Sequence, residues 1–144
     1  MRWKILLVVV GALVVVVLLA PARTSVAADK AEAAATKQAE AWLALVDQGK
    51  YGEAWDAASK LFQGAVTRAA WAEKLAGVRG PLGKLLSRRV KSERPTTRLP
   101  GAPDGKYVVI QFATSYENKK QAVETVTPML EADGSWKVSG YFIK

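Results

Sequence analysis

Apolar residues recur at spacings of four and three along residues 30–46. Ala35, Ala39, Trp42 and Val46 share one face, while Lys37, Glu40, Ala44 and Asp47 share a mostly polar one. That period predicts an amphipathic helix, and Gly49 follows its last turn, where a left-handed C-cap belongs. A second helix is expected from Tyr51, with Tyr51, Ala54, Trp55, Ala58 and Leu61 or Phe62 on one stripe and Gly64 as its breaker. Thr67 suits the N-cap of a third helix carrying Trp71, Leu75 and Val78. Gly80-Pro81 ends that helix, because proline cannot continue it.

After Gly83 the texture becomes that of strands. Residues 84–94, 106–116, 121–131 and 135–143 are expected as four of them, the second rich in Val, Ile, Phe and Tyr. The loop 99–105 holds two Pro and two Gly. Residues 117–120 and Asp133-Gly134 supply the other turns, and consecutive strands joined so tightly pair antiparallel. Pro128 lacks an N–H, so it marks an edge position or a bulge. Helices followed by a meander give an α+β fold, with three N-terminal helices packed on one face of a curved four-stranded antiparallel sheet. Residues 42–62 look like part of a tetratricopeptide repeat, but such arrays need about three copies to close a core. This chain holds one, followed by strands.

The N-terminus changes the picture. Arg2 and Lys4 precede an apolar run over residues 5–20, and Val26 and Ala28 stand where a signal peptidase reads small residues. The layout predicts a signal peptide over 1–28 and a single domain over 29–144, exported to the periplasm or secreted. The alternative is an anchor over residues 5–22, because a tilted helix of that length just spans; only then would the chain contact membrane. With no Cys, a lipoprotein anchor is excluded and the fold holds by packing alone.

The whole chain carries a formal charge of +8; loss of Arg2, Lys4 and Arg23 with no acidic residue leaves +5. A basic exported domain meets lipid headgroups and anionic cell-wall polymers rather than nucleic acid, so an anionic envelope component or an envelope protein is the expected partner. The absence of His and Cys removes the commonest general base, the thiol nucleophile and the usual soft metal ligands. No catalytic residue, cofactor site or metal site is assigned.

Several stretches carry a family resemblance. They are residues 42–59, Trp71, Arg79-Gly80-Pro81-Leu82-Gly83, Leu99-Pro100-Gly101, Pro103-Asp104-Gly105-Lys106-Tyr107 and the tail from Asp133 to Ile143. Together they resemble the bacterial family called domain of unknown function 4019. The resemblance implies a small exported or membrane-anchored protein with no assigned activity. The element order is also similar to the nuclear-transport-factor-2-like cone, whose members include enzymes, binding modules and inert scaffolds, so fold alone assigns no function.

In such a cone the aromatics could line an apolar pocket, although their phase favours the core. Trp71 and Tyr107, each near the end of its element, are the pocket-lining candidates. Glu124 sits in a strand and could face a pocket, which makes it the base that a cone-fold hydrolase or isomerase would use. Arg79, Arg89 and Lys91 are the candidate anion contacts. For Arg79, capping the third helix and pairing with an acid is the competing role. In the stretch LLSRRVKSERPTTR, alternation puts Leu86, Arg88, Val90, Ser92 and Arg94 on one face and Ser87, Arg89, Lys91 and Glu93 on the other. With cations on both faces and Glu93 interrupting one of them, a solvated strand is the favoured reading.

Overall fold

The computed structural model describes residues 23–144, with side chains from residue 26. The apolar run and the expected anchor over 5–22 lie outside the described residues, and no helix among those described is long and apolar enough to cross a membrane. Helix α1 spans Arg23–Asp47, α2 Tyr51–Asp56, α3 Lys60–Ala65 and α4 Arg68–Arg79, with a 3-10 turn at Gly80–Leu82. Strands β1 Leu85–Thr96, β2 Tyr107–Tyr116, β3 Lys119–Leu130 and β4 Trp136–Ile143 follow. They form one antiparallel sheet in the order β1-β2-β3-β4. The α+β class and the meander stand as expected, with one more helix.

Helix α1 starts upstream of the expected residue 30, so Val26, Ala27 and Ala28 lie exposed on it. Its fully buried face begins only at Ala35 and runs through Ala39, Trp42, Leu43 and Val46. Shortening the helix to Asp29 would therefore leave that face intact. Its end is a Schellman cap: Gly49 sits at φ +73°, its N–H donates to Val46 O at 3.0 Å, and Lys50 N–H donates to Leu45 O at 2.9 Å.

The second expected helix is two. The hydroxyl of Ser59 accepts from Phe62 N at 3.1 Å and so caps α3, while Ser59 N donates to Val138 O of β4 at 2.9 Å. A backbone group used by the sheet cannot continue a helix, and the chain bends there. Thr67 caps α4 as expected, accepting from Ala70 N. The α4 stripe, however, runs Trp71, Leu75 and Arg79, with Val78 outside at 42% exposure. Pro128 lies in β3, an inner strand, at an irregularity in the pairing with β4, as its missing donor requires. Ser139 Oγ donates to Thr127 O beside it at 2.7 Å.

The core is aromatic at its helical end. Trp42, 1% exposed, lies 5.2 Å from Tyr141 and 6.0 Å from Trp71, whose ring meets Phe62 edge-on at 4.7 Å. Trp42 also donates through Nε1 to Ala54 O at 2.8 Å, tying α1 to α2. Trp55 is half-buried at the margin and donates to Val66 O at 2.7 Å. The centre of the core is thus Trp42 rather than Trp55. Trp42→Ala should cost about 3–5 kcal/mol, the range for emptying a large buried aromatic site. Trp55→Ala should cost distinctly less, and urea melts of both variants against the parent read the difference.

Candidate functional site: a buried ion network

The last residue of α1, the last residue of α4 and the inner faces of all four strands converge on one cluster of charged groups. Asp47 closes α1 and Arg79 closes α4. Cα partners across a sheet share a face, so the pairs Arg88–Thr114 and Phe112–Glu124 put Arg88, Thr114 and Glu124 inward with Phe112. Tyr141, opposite Val126, joins them from β4.

Arg88 is the centre. Its Nε donates to Glu124 Oε1 at 2.7 Å, and its Nη1 and Nη2 donate to Asp47 Oδ2 at 2.6 Å and Oδ1 at 2.9 Å. Arg79 Nη2 reaches Asp47 Oδ1 at 2.8 Å, and its guanidinium lies 4.9 Å from the centre of the Tyr116 ring, within cation–π range. Glu124, with no exposed surface, also accepts from Thr114 Oγ1 at 2.7 Å and from the Tyr141 hydroxyl. Two carboxylates and two guanidiniums make the cluster neutral overall.

The electrostatics follow from these contacts. Burial opposes the Asp47 charge, but the hydrogen bonds from Arg88 and Arg79 outweigh it and hold the carboxyl below its usual range. Burial likewise opposes the charge on Arg88, and Asp47 and Glu124 reverse that, raising its pKa. Burial, then the Glu124 charge, pushes the Tyr116 phenol up to about 12 and raises that of Tyr141 further. The Tyr116 hydroxyl, Arg79 Nε and Nη1, and Trp71 Nε1 have no hydrogen-bond partner among the described residues.

The residues singled out in the sequence do not form one site. Arg79 is interior, 6% exposed, and takes the pairing role with an acid, Asp47. Arg89 and Lys91 stand on the opposite face of the sheet, in a groove of about 830 Å³. Trp71 lines a cleft of about 190 Å³ with Val78 and Phe142. Tyr107 lines a separate cleft of about 610 Å³ between the start of α1, Pro95 and Trp136. Tyr107 is itself buried, its hydroxyl donating to Pro103 O at 2.6 Å. Among the described residues there is no group of three or more acids placed to hold a metal ion.

Sequence reasoning passed over Asp47, assigned to the polar side of its helix, and Arg88, treated as part of a wet strand. Glu124 was seen without its partners. One signal was available: Arg88 shares its alternation phase with Val90, and Glu124 lies two residues from Val126, a core residue.

Removing one partner of a buried ion pair leaves the other uncompensated. Glu124→Ala should therefore destabilise the fold by about 3–5 kcal/mol, with Glu124→Gln milder because its amide still accepts from Arg88. The network also sets a pH window. Asp47 has a depressed pKa, so its contribution is present above about pH 4 and is lost as pH falls through the lower folded-state value. The raised phenols contribute below about pH 10, and their contribution is lost as pH rises through the folded-state values. Denaturant midpoints across pH should fall on both sides, and the acid limb should flatten in Asp47→Asn.

No curated protein matches the chain. The family model described as protein of unknown function (DUF4019) matches residues 38–141 and takes in every member of the buried network. The chain belongs to the DUF4019 family.

Proposed function

We propose that the protein is an exported envelope module that acts by binding and not by catalysis. The observation that carries the second half is the state of Glu124. A general base must reach a substrate proton directly or through one water. Glu124 has no exposed surface, and its oxygens already accept from Arg88, Thr114 and Tyr141. A carboxylate held in that way acts as the anchor of a buried cation. This weighs against the alternative, a cone-fold hydrolase or isomerase with Glu124 as base.

Support for export comes from the basic start, the apolar run and the Val26-Ala27-Ala28 stretch. The buried face of α1 begins at Ala35, so a chain starting at Asp29 keeps all of it. The mature protein would then present the basic 29–144 segment to envelope anions.

Intact mass spectrometry of fractionated cells tests the reading. The expected mass is that of a chain starting at or near Asp29, recovered outside the cytoplasm. A full-length chain in the membrane fraction would replace cleavage by an anchor over 5–22, and a cytosolic chain would overturn export. Turnover of a chromogenic ester or phosphoester panel that disappears in folded Glu124→Gln would overturn the non-catalytic half.

A further inference from the structure

The sheet face turned away from the helices carries a cationic trough. Arg89 pairs with Ala113, Ala113 with Val123, and Val123 exchanges both backbone hydrogen bonds with Lys144. This row crosses all four strands with a cation at each end and small or apolar residues between. Three inter-strand steps of about 4.8 Å put its ends about 14 Å apart. Ser87 and Ser115 form the next pair along the floor. Lys91 extends one wall and Lys120 the other, and among the described residues no Asp or Glu side chain lines the groove of about 830 Å³. Among the described residues, Arg89, Lys91, Lys120 and Lys144 make no salt bridge.

Two features of the fold produce this one-sided charge. Arg88 is drawn inward by Asp47 and Glu124. An irregularity between Val90 and Ser92 then reverses the alternation, so Glu93 pairs with inward-facing Ile110 and accepts from Thr36 of α1, while Ser92 and Arg94 join the outer face. Both reasons for reading this strand as merely solvated, mixed faces and the interrupting Glu93, are thereby removed.

We propose that this trough binds a linear, phosphate-bearing polymer of the cell envelope. A trough with walls of long cations and a floor of Ala113 and Ser115 admits a single chain, whereas a flat bilayer rests on its rims. Three lysines to one arginine favour phosphate, which lysine holds as a point charge, over carboxylate, which best suits the planar guanidinium fork. The serine hydroxyls add neutral donors along the path. Among the described residues no aromatic ring lines the trough, so they offer no platform on which nucleic-acid bases would stack. The identity of the polymer as an envelope component rests on the export reading above; the binding itself does not.

The test uses protein purified from the fraction where it is found, with inorganic polyphosphate of defined length as probe. Anionic phospholipid vesicles and a single-stranded oligonucleotide are the competitors. Polyphosphate should bind, and affinity should fall about tenfold or more between 0.05 and 0.2 M salt, as polyanion contacts do. Arg89→Gln with Lys91→Gln and Lys120→Gln should reduce binding at least about tenfold, with the melting temperature close to the parent's because these side chains are exposed. Lys30→Gln with Lys37→Gln and Lys74→Gln removes the same charge from exposed helical positions and should leave binding within about twofold. Ala113→Leu, which raises the floor without touching a charge, should weaken binding as well. Equal losses in the two triple variants would reduce the effect to net charge and overturn the trough. Preference for vesicles or oligonucleotide, or no binding by the folded parent, would overturn it too. Recovery of the protein in the cytosol with polyphosphate binding intact would instead overturn export and, with it, the envelope origin of the polymer.

Discussion

Arg88 ties the molecule together. Placing a guanidinium inside a protein carries a desolvation penalty of several kcal/mol, offset only when its donors are met in good geometry. Here the fork meets both oxygens of Asp47, and Nε turns the other way to Glu124. One side chain thereby fastens the end of α1 to the edge strand β1 and the inner strand β3. Asp47 receives Arg79 as well, so the end of α4 is held at the same point. The helical layer could slide on a purely apolar sheet face, but a bidentate ion pair allows one position. In energetic terms the network specifies an arrangement more than it adds stability, since well-packed apolar groups often replace buried ion pairs at no loss.

That specification reaches the far face of the sheet. Side chains alternate along a strand, so choosing Arg88 for the interior chooses Arg89 for solvent. Chemically the two are identical, and a slip by one residue would exchange them. What breaks the degeneracy is the odd spacing between Arg88 and Glu93, both of which face inward because the strand carries an irregularity between them. Pro95 then falls opposite inward-facing Val108, on an edge strand where its missing donor is tolerated. Fixing one arginine inside thus sorts the strand's remaining charges.

Much of this was legible in the sequence, for reasons that differ by element. The α1 stripe, the Gly49 cap, the Thr67 cap and the four strands with their turns depend on local chemistry, and they lie close to where the pattern put them. The break at Ser59 was not legible, because it depends on a backbone hydrogen bond to Val138, far away in the chain. The pairing of Arg79 with an acid was expected, but its partner Asp47 and its burial in place of Val78 were not, because that acid lies on another helix 32 residues away. The network itself joins positions 47, 79, 88 and 124, and no local period relates them. The β1 irregularity was invisible for a related reason: a strand this polar has no apolar rhythm in which a skipped beat would show.

The same polarity indicates which face is free to act. On β2 the inward residues Val108, Ile110, Phe112, Thr114 and Tyr116 are buried against the helical layer or the ion network. Their outward neighbours Gln111, Ala113 and Ser115 are small or uncharged and only half-buried. A sheet with one face committed to packing usually fills the other with mixed charges that neutralise one another and discourage edge pairing. This one instead pairs its buried acid Glu124 with Arg88 and gathers cations around a shallow floor. Like charges gathered across neighbouring strands repel and cost stability, so the arrangement gains nothing within the monomer. An anion bound from outside the chain, as proposed for this trough, would relieve that repulsion.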